Sequence, residues 1–381
     1  MSVRARREVF TELVPASIDY SRFVQPSVVV MQPTTLCNLD CAYCYLPARH
    51  RALNMLPAVA RAVASSVAHW TARRRVEICW HGGEPLTLGR DYLSSLMDAF
   101  DGLDVVHSIQ TNSTLITPEW SRFLLDRRVR VGVSIDGPRR SNGDRVDRAG
   151  RHAYERIHRG IRQLVGDGHE VSAIAVVSDP TPRRARSLYS FVSELGCTWL
   201  GVNIEEREGA NTRRNSFISD EVVGFWAELF GEWSRQPRVR LREAQRALAY
   251  AQGVLNGQKF ATSTMDPLPS VAWNGEVTLF SPELVGYSSA RLGEFSCGSV
   301  LRTSLDELIR RGSRAPWVAE FLRGARRCRV SCDYFDFCGG GTAANRYFET
   351  GRMDSTETDY CRNSKKALME GVLAHVSTIA R

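Results

Sequence analysis

Between residues 27 and 206 the chain alternates short apolar, β-branched runs with longer stretches whose apolar residues recur at three- and four-residue spacing, the pattern of repeated βα units on a parallel sheet. The β-type runs cover residues 27–32, 76–80, 105–110, 129–135, 171–177 and 199–204, so six strands are expected. Stretches 56–74, 92–100, 118–126, 153–166 and 183–195 have helical period, and Thr117 followed by Pro118 is placed to cap and start the third of them. Six units are too few to close an eight-unit barrel, but right-handed crossovers curl such units into part of one. The expected fold class is therefore α/β, a partial (β/α)6 TIM-like barrel. Its active site should lie at the carboxyl ends of the strands. The unusual residues fall there: Cys37 to Cys44 after strand one, Gly82 to Pro85 after strand two, Thr111 and Asn112 after strand three, Asp136 and Gly137 after strand four.

After residue 207 the pattern changes. Helical stretches at 220–235 and 241–255 lead into VAWNGEVTLF, where Asn274-Gly275 between two β-type runs signals a hairpin. A short helix at 304–311 and a cysteine-rich segment follow, read as a smaller, loop-rich domain that a metal cluster would hold together. The expected division is an N-terminal extension over 1–26, the barrel over 27–206, a helical bridging region over 207–260 and a cluster domain over 261–381.

Hydrophobic residues make up 43% and charged residues 24% of the 381, the balance of an ordinary soluble protein. The longest apolar runs fall far short of the roughly 20 residues that span a bilayer, so no membrane association is expected. The first twenty residues carry positive charge but no apolar core followed by small residues, which makes the cytoplasm the expected compartment. The net charge of +8 comes from arginines scattered along helices without interleaved aromatics, which reads as a solvated surface and not as a nucleic-acid site. Of ten cysteines, eight fall into two groups, 37/41/44 and 297/328/332/338/361, and clustered cysteines in a cytoplasmic chain point to metal. Cys79 and Cys197 sit alone in apolar runs and read as core residues.

The first group lies in PTTLCNLDCAYCYLP. Three thiolates in one tight loop can hold three irons of a cubane and leave the fourth without a protein ligand, the open position a catalytic metal needs. A zinc site that borrows a fourth ligand is the alternative. The CxxxCxxC spacing, with Tyr43 just before Cys44, resembles the signature of the radical S-adenosylmethionine (SAM) superfamily. The resemblance implies an open-site [4Fe–4S] cluster that chelates the methionine part of SAM. One electron, supplied by an external donor, then splits the sulfonium bond to give methionine and a 5′-deoxyadenosyl radical. His81-Gly82-Gly83-Glu84-Pro85 resembles the family's GGEP motif, whose backbone receives the cofactor's amino group, and its two glycines allow that close approach. Ser134 and Asp136 in VSIDGP stand where the family contacts the cofactor's carboxylate and ribose. Arg145 matches an arginine that pairs with the carboxylate, a task suited to a guanidinium fork. These positions also suit ordinary surface turns. Gln110, Thr111 and Asn112 are expected to line the same cavity.

Cys328, Cys332, Cys338 and Cys361 give four thiolates, three local and one returning after 22 intervening residues. They resemble the SPASM domain, the auxiliary-cluster domain of radical enzymes that modify peptides. A closed four-ligand site moves electrons or holds the domain together, and a structural zinc is the alternative. Phe280, Ser281 and Thr342 stand where that family places further cysteines, so one auxiliary [4Fe–4S] cluster is expected. Cys297 is left between three roles: replacement ligand, gate for electron flow, or buried side chain.

WHGGEPL, QTNSTLI, VSIDGP, FSPEL and CGGGTAANRYFETGRMDSTETDYC together resemble peptide maturases that form three-residue cyclophanes on ribosomally made precursors. The resemblance implies hydrogen removal from an unactivated Cβ, attack on an aromatic ring carbon two residues earlier, and loss of an electron and a proton. The auxiliary cluster is then the electron acceptor. Glu205 and Glu206, at the end of strand six, are either the base or exposed loop carboxylates. Formylglycine or thioether formation by a related enzyme, and a non-enzymatic iron–sulfur sensor that binds peptide or nucleic acid, are the other readings. A precursor peptide is the expected partner. The 26 residues before strand one are too few for a leader-binding domain, so a separate leader-binding protein, or the region from 207 onward, would recognise it.

Overall fold

The computed structural model describes residues 25–215, 217–257 and 266–379. Most of the expected N-terminal extension, and the 258–265 stretch where the bridging region was expected to meet the cluster domain, lie outside the described residues.

Six strands form where the apolar runs place them: β1 (Val28–Met31), β2 (Val76–Trp80), β3 (Val105–Thr111), β4 (Arg130–Ser134), β5 (Val171–Val177) and β6 (Trp199–Ile204). They pair in chain order and all in parallel. The connecting helices are α1 (Pro57–Thr71), α2 (Arg90–Met97), α3 (Pro118–Asp126), α4 (Tyr154–Gly166) and α5 (Pro182–Glu194). Two of them start by one device. The Thr117 hydroxyl accepts from Trp120 N and the Thr181 hydroxyl from Arg184 N, each at 3.3 Å, with a proline as first helical residue.

The strands alternate. Val76, Ile78 and Trp80, Val131 and Val133, and Val171, Ala173, Ala175 and Val177 are buried, while the residues between them are half-buried. A parallel sheet covered by helices on both faces would be apolar on both, so only one face here is packed that way. The other is polar: Ser108 donates to Glu77 Oε1 at 2.5 Å, and Gln110 Nε2 donates to Ser134 Oγ at 2.9 Å. Gly132 makes room for the second bond, since a Cβ there would sit 2.3 Å from Gln110 Oε1. Cys197 is buried as expected, whereas Cys79 falls on the alternate face of β2 and is only half-buried.

The sheet is larger than six strands. β7 (Arg240–Leu241) extends it beside β6, and β8 (Ser270–Val271) pairs in parallel with β1 at the opposite end. β9 (Val277–Thr278) then turns back antiparallel on β8 around Asn274-Gly275. The expected hairpin therefore exists, and among the described residues it forms the edge of a nine-stranded sheet. Pairing between β1 and β8 joins residues some 240 positions apart and leaves no mark on local periodicity.

Helices α6 (Ser219–Arg235) and α7 (Arg242–Leu255) match expectation. The loop-rich reading of the remainder needs correction. It contains α8 (Leu305–Gly312), α9 (Pro316–Ser331), α10 (Phe335–Cys338), α11 (Ala343–Thr350), α12 (Asp359–Cys361), a π turn over Arg362–Lys366, and α13 (Ala367–Ile379). In α9, Trp317, Val318, Phe321, Ala325 and Cys328 form a buried stripe at helical spacing. The arginines between them obscure it in the sequence. α13 packs closely on α6, where a Cβ on Gly371 would come within 2.6 Å of Trp226 Cβ. Among the described residues, no helix is long and apolar enough to cross a membrane.

Candidate active site

The loop after β1 is held by backbone bonds. Cys37 N donates to Arg49 O (2.9 Å), Asp40 N to Val146 O (2.8 Å), Ala42 N to Asp144 O (3.0 Å), and Cys44 N to Cys41 O (3.1 Å). Two sulfurs also receive backbone amides: Leu39 N points at Cys37 Sγ at 3.4 Å, and Leu46 N bonds to Cys44. Burial pushes the free thiols of Cys37 up to about 12 and Cys41 to about 11, and raises Cys44 as well. Such thiols ionise only beside a strong positive charge, which a metal ligand obtains from its metal.

The GGEP turn docks against this loop. Glu84 N donates to Leu36 O at 2.7 Å, and Gly83 has φ +61 with no room for a side chain, because a Cβ would lie 2.5 Å from Leu36 O. Glu84, 1% exposed, accepts from Leu86 N, Thr111 Oγ1 and Asn112 N. It therefore fastens the end of β3 to the end of β2. Asn112 Nδ2 in turn donates to Asn38 Oδ1 at 2.8 Å and approaches Cys37 Sγ at 3.8 Å. Pro85 opens a short 3₁₀ turn and is buried. Gln32 packs over Gly82, and its Oε1 is buried without a partner among the described residues.

Asp136 is a hub. Arg145 grips it with two bonds of 2.8 Å, Tyr43 OH donates at 2.7 Å, and Val176 N at 2.9 Å. The Arg145 guanidinium also lies 5.4 Å from the Tyr43 ring. Expected to act as separate ligands, Asp136 and Arg145 are each other's partners, both almost completely buried. Ser134 faces the same polar surface through Gln110.

The second group gathers around one cavity lined by Cys328, Cys332, Cys338 and Cys361 with Lys365 and Lys366. Backbone amides of Gly340 and Gly341 bond to Cys338. Gly339, Gly340 and Gly341 all have positive φ, and three such residues in succession are available only to glycine. Arg346, 2% exposed, donates to Cys328 Sγ at 3.2 Å and to the carbonyls of Phe321, Met353 and Gly340. Positive charge and amide donors thus face these sulfurs. Cys297 does not line this cavity: its thiol is pushed up to about 12 by burial, and it lies against Gly312. Phe280 packs on Phe321 with ring centroids 5.3 Å apart, Ser281 Oγ accepts from Ala344 N, and Thr342 caps α11. Among the described residues no three His, Cys, Asp or Glu side chains converge as they would on a single ion. Each cysteine group is a set of donors spread around a space.

Glu205 and Glu206 are not exposed loop carboxylates. Glu205 is 4% exposed, and its Oε1 takes Arg213 Nε at 3.3 Å and Asn211 Nδ2 at 3.4 Å. Its Oε2 has no partner among the described residues. Arg213 also reaches Asp144, which ties Glu205 to the first cysteine loop. Glu206 accepts from Asn345 Nδ2, which also contacts Glu208 at 3.4 Å. Burial, and then Glu283, raises both Glu206 and Glu208 well above the usual carboxylate range, while burial pushes Glu283 itself up to about 7. After its own burial, Tyr45 is affected most by Glu283, Cys44 and Glu208, and Tyr360 by Glu206 and Cys338. Glu283 and Glu208 thus bear on Tyr45 beside Cys44, and Glu206 bears on Tyr360 beside Cys361. Sequence reading missed Glu208, Glu283, Asn345 and Arg346. The run IEEREG hinted at Glu208, but nothing marks Arg346 off from the many surface arginines.

Residues 31–192 match the model of the Radical SAM superfamily, a span that holds Cys37, Cys41, Cys44, the GGEP turn, Asp136 and Arg145. Over that span the chain is similar to radical SAM enzymes. An uncharacterized protein of Synechocystis is 29% identical over 93% of each chain. A serine-type anaerobic sulfatase-maturating enzyme of Bacteroides thetaiotaomicron is also 29% identical, covering 87% of this enzyme and 86% of that one. Among solved structures, native anSMEcpe with bound AdoMet superposes with a TM-score of 0.73 at 22% identity, covering 93% of this chain and 98% of its own. Streptococcus suis SuiB bound to the precursor peptide SuiA gives 0.65 at 17% identity, covering 94% and 80%.

Radical SAM enzymes use a [4Fe–4S] cluster and SAM, and the site fits both. Cys37, Cys41 and Cys44 offer three sulfurs in one loop, two of them facing backbone amides that stabilise thiolate. The unpartnered oxygens of Gln32 and Glu205 are buried acceptors, costly unless a ligand brings donors such as an ammonium or sugar hydroxyls.

Proposed function

We propose that this enzyme is a maturase that joins a Cβ carbon to an aromatic ring carbon within a three-residue segment of a ribosomally made precursor peptide, forming a cyclophane. The observation that carries the reading is the pairing of a three-thiol loop with a separate four-thiol cavity, together with a cluster of carboxylates gathered at Asn345. When bound, the cluster and SAM supply a one-electron reductive cleavage and a hydrogen-abstracting carbon radical. Gly82, Gly83 and Gln32 receive the amino end of SAM beside Cys37. Arg145, held by Asp136, and Ser134 set the wall of the partial barrel against which the rest of SAM lies. Glu206, Glu208 and Glu283 share protons, because adjacent buried carboxylates do not all ionise. An ionised member accepts the ring proton that crosslinking expels. Cys328, Cys332, Cys338 and Cys361 hold the single auxiliary cluster, beside Tyr360, where the surplus electron leaves.

Phe280, Ser281 and Thr342, occupied in packing and capping, support one auxiliary cluster in place of two, which counts modestly against formylglycine or thioether formation. The precursor peptide held by SuiB supports a peptide substrate. Its leader would be read by a separate protein or by the region from 207 onward. The sulfatase-maturase relatives favour a second reading, oxidation of a Ser or Cys side chain to formylglycine. The radical SAM match over residues 31–192 supports an enzyme over a non-enzymatic sensor.

The test is anaerobic turnover with SAM, dithionite and a co-expressed precursor. The reconstituted enzyme should release 5′-deoxyadenosine, and Ala at positions 37, 41 and 44 should abolish it. The peptide should lose two hydrogens per motif and resist hydrazine labelling. Oxidation of Ser also removes two hydrogens but leaves a hydrazine-reactive aldehyde, so labelling would reject the crosslink.

A further inference from the structure

We propose that the open cavity beside the first cysteine loop, lined by Leu36, Asn38, Ala149 and the guanidinium groups of Arg148, Arg151 and Arg156, is the docking face for an acidic one-electron carrier protein. The inference rests on the reading of Cys37, Cys41 and Cys44 as the iron site. Electron transfer falls steeply with distance, so a carrier has to meet the surface where the cluster loop comes nearest to it. One such place is identifiable. Arg148 is exposed, yet its guanidinium donates to the carbonyl of Cys37 at 2.8 Å and to that of Arg49 at 3.3 Å. An exposed cation therefore touches the backbone of an iron-ligand residue.

The charge of the cavity is one-sided. Three guanidinium groups face one carboxylate, Asp147, which is buried and also occupied by the amides of Ala149 and Arg151. Arg151 and Arg156 share that carboxylate at 3.0 Å each, and Arg148 has no carboxylate partner among the described residues. The Arg151 side chain is 76% exposed. Leu36 and Ala149 add a small apolar floor. Positive charge around a shallow, partly apolar recess suits a carrier whose prosthetic group emerges among carboxylates, and complementarity of this kind acts mainly on encounter rate and register. With a flavin carrier, the anionic hydroquinone loses one electron to become the neutral semiquinone, and the cluster gains that electron with no atom exchanged.

The test uses the full-length, anaerobically reconstituted enzyme and reduced flavodoxin as probe. Flavodoxin binding, read by anisotropy of a labelled carrier, should weaken about tenfold between about 50 and 200 mM salt, as screening shortens the reach of the patch. Arg151→Gln should weaken binding several-fold and raise by a similar factor the flavodoxin concentration that half-saturates 5′-deoxyadenosine release, with the dithionite-driven rate unchanged. Arg73→Gln, the same charge change at the amino end of β2, should do neither. Equal binding by the two variants would overturn the proposal. So would an Arg151→Gln effect confined to the KM for the peptide under dithionite, which would make the cavity a substrate surface. Wild type that cleaves no SAM even with dithionite would defeat the iron-site reading instead, and the binding arm would still report on the docking face.

Discussion

Every lone pair of the Asp136 carboxylate is taken inside the protein, by Arg145 twice, Tyr43 and Val176 N. Its work is to hold Arg145 and Tyr43 where the first cysteine loop needs them. Asp136→Asn should therefore act as the breaking of a buried ion pair. We expect a loss of about 3–5 kcal/mol in urea unfolding, because Arg145 keeps its charge with nothing to balance it. Arg145→Lys should fail in similar fashion, since an ammonium cannot match both oxygens. His107 makes a different point. Its Nδ1 accepts from Trp80 Nε1 at 3.1 Å, and burial, followed by Arg127, depresses its pKa to about 4. Between pH 4 and 6.5 the unfolded chain therefore binds the extra proton, and stability rises with pH across that window. The unfolding midpoint should fall more steeply on acidification in wild type than in His107→Gln. A parallel pair of pH curves would count against this.

Among the elements, α4 shows how packing reaches the site. A Cβ on Gly160 would lie 2.0 Å from Ser113 O, so helix and loop are in direct backbone contact. Asn112 and Thr114 in that loop hold Asn38, and Asn112 borders Cys37. Gly160→Ala should cost about 1–3 kcal/mol as overpacking and should weaken SAM binding several-fold by calorimetry, although residue 160 touches no ligand. Unchanged SAM affinity in a destabilised variant would separate the helix from the site. The capping threonines are more local in effect: Thr181→Ala should lower stability by about 1 kcal/mol in thermal melts without changing turnover.

Across the whole molecule, the second half is bound to the first by a shared sheet edge at β8 and by α6, which packs on α5 and carries α13 on it, and so the two cysteine groups have a fixed relation. Reconstituted enzyme should hold about eight irons per chain, about four in each cubane. Ala at 328, 332, 338 and 361 should leave about four and preserve 5′-deoxyadenosine release while stopping peptide crosslinking. Cys297→Ala should leave the iron count unchanged. Iron analysis of the three proteins checks this, and loss of iron from Cys297→Ala would make that residue a ligand.

The strands, the first five helices and both cysteine groups were legible from local order alone. Alternation in β2 and β5, Thr-Pro helix starts and close cysteine spacing are short-range facts, and short-range physics decides them. The same order pointed to Gly82 through Pro85 and to Asn112, because strand ends in a parallel array collect at one edge. Only the tertiary structure decided that Asp136 would be spent on Arg145, that Glu206 would meet Glu208 and Glu283, and that Arg346 would face Cys328. It also decided that the hairpin near Asn274 would join β1. Each of these depends on residues remote in the chain sharing one buried space, where desolvation sets which charges pair and which protons stay, and no local pattern encodes that.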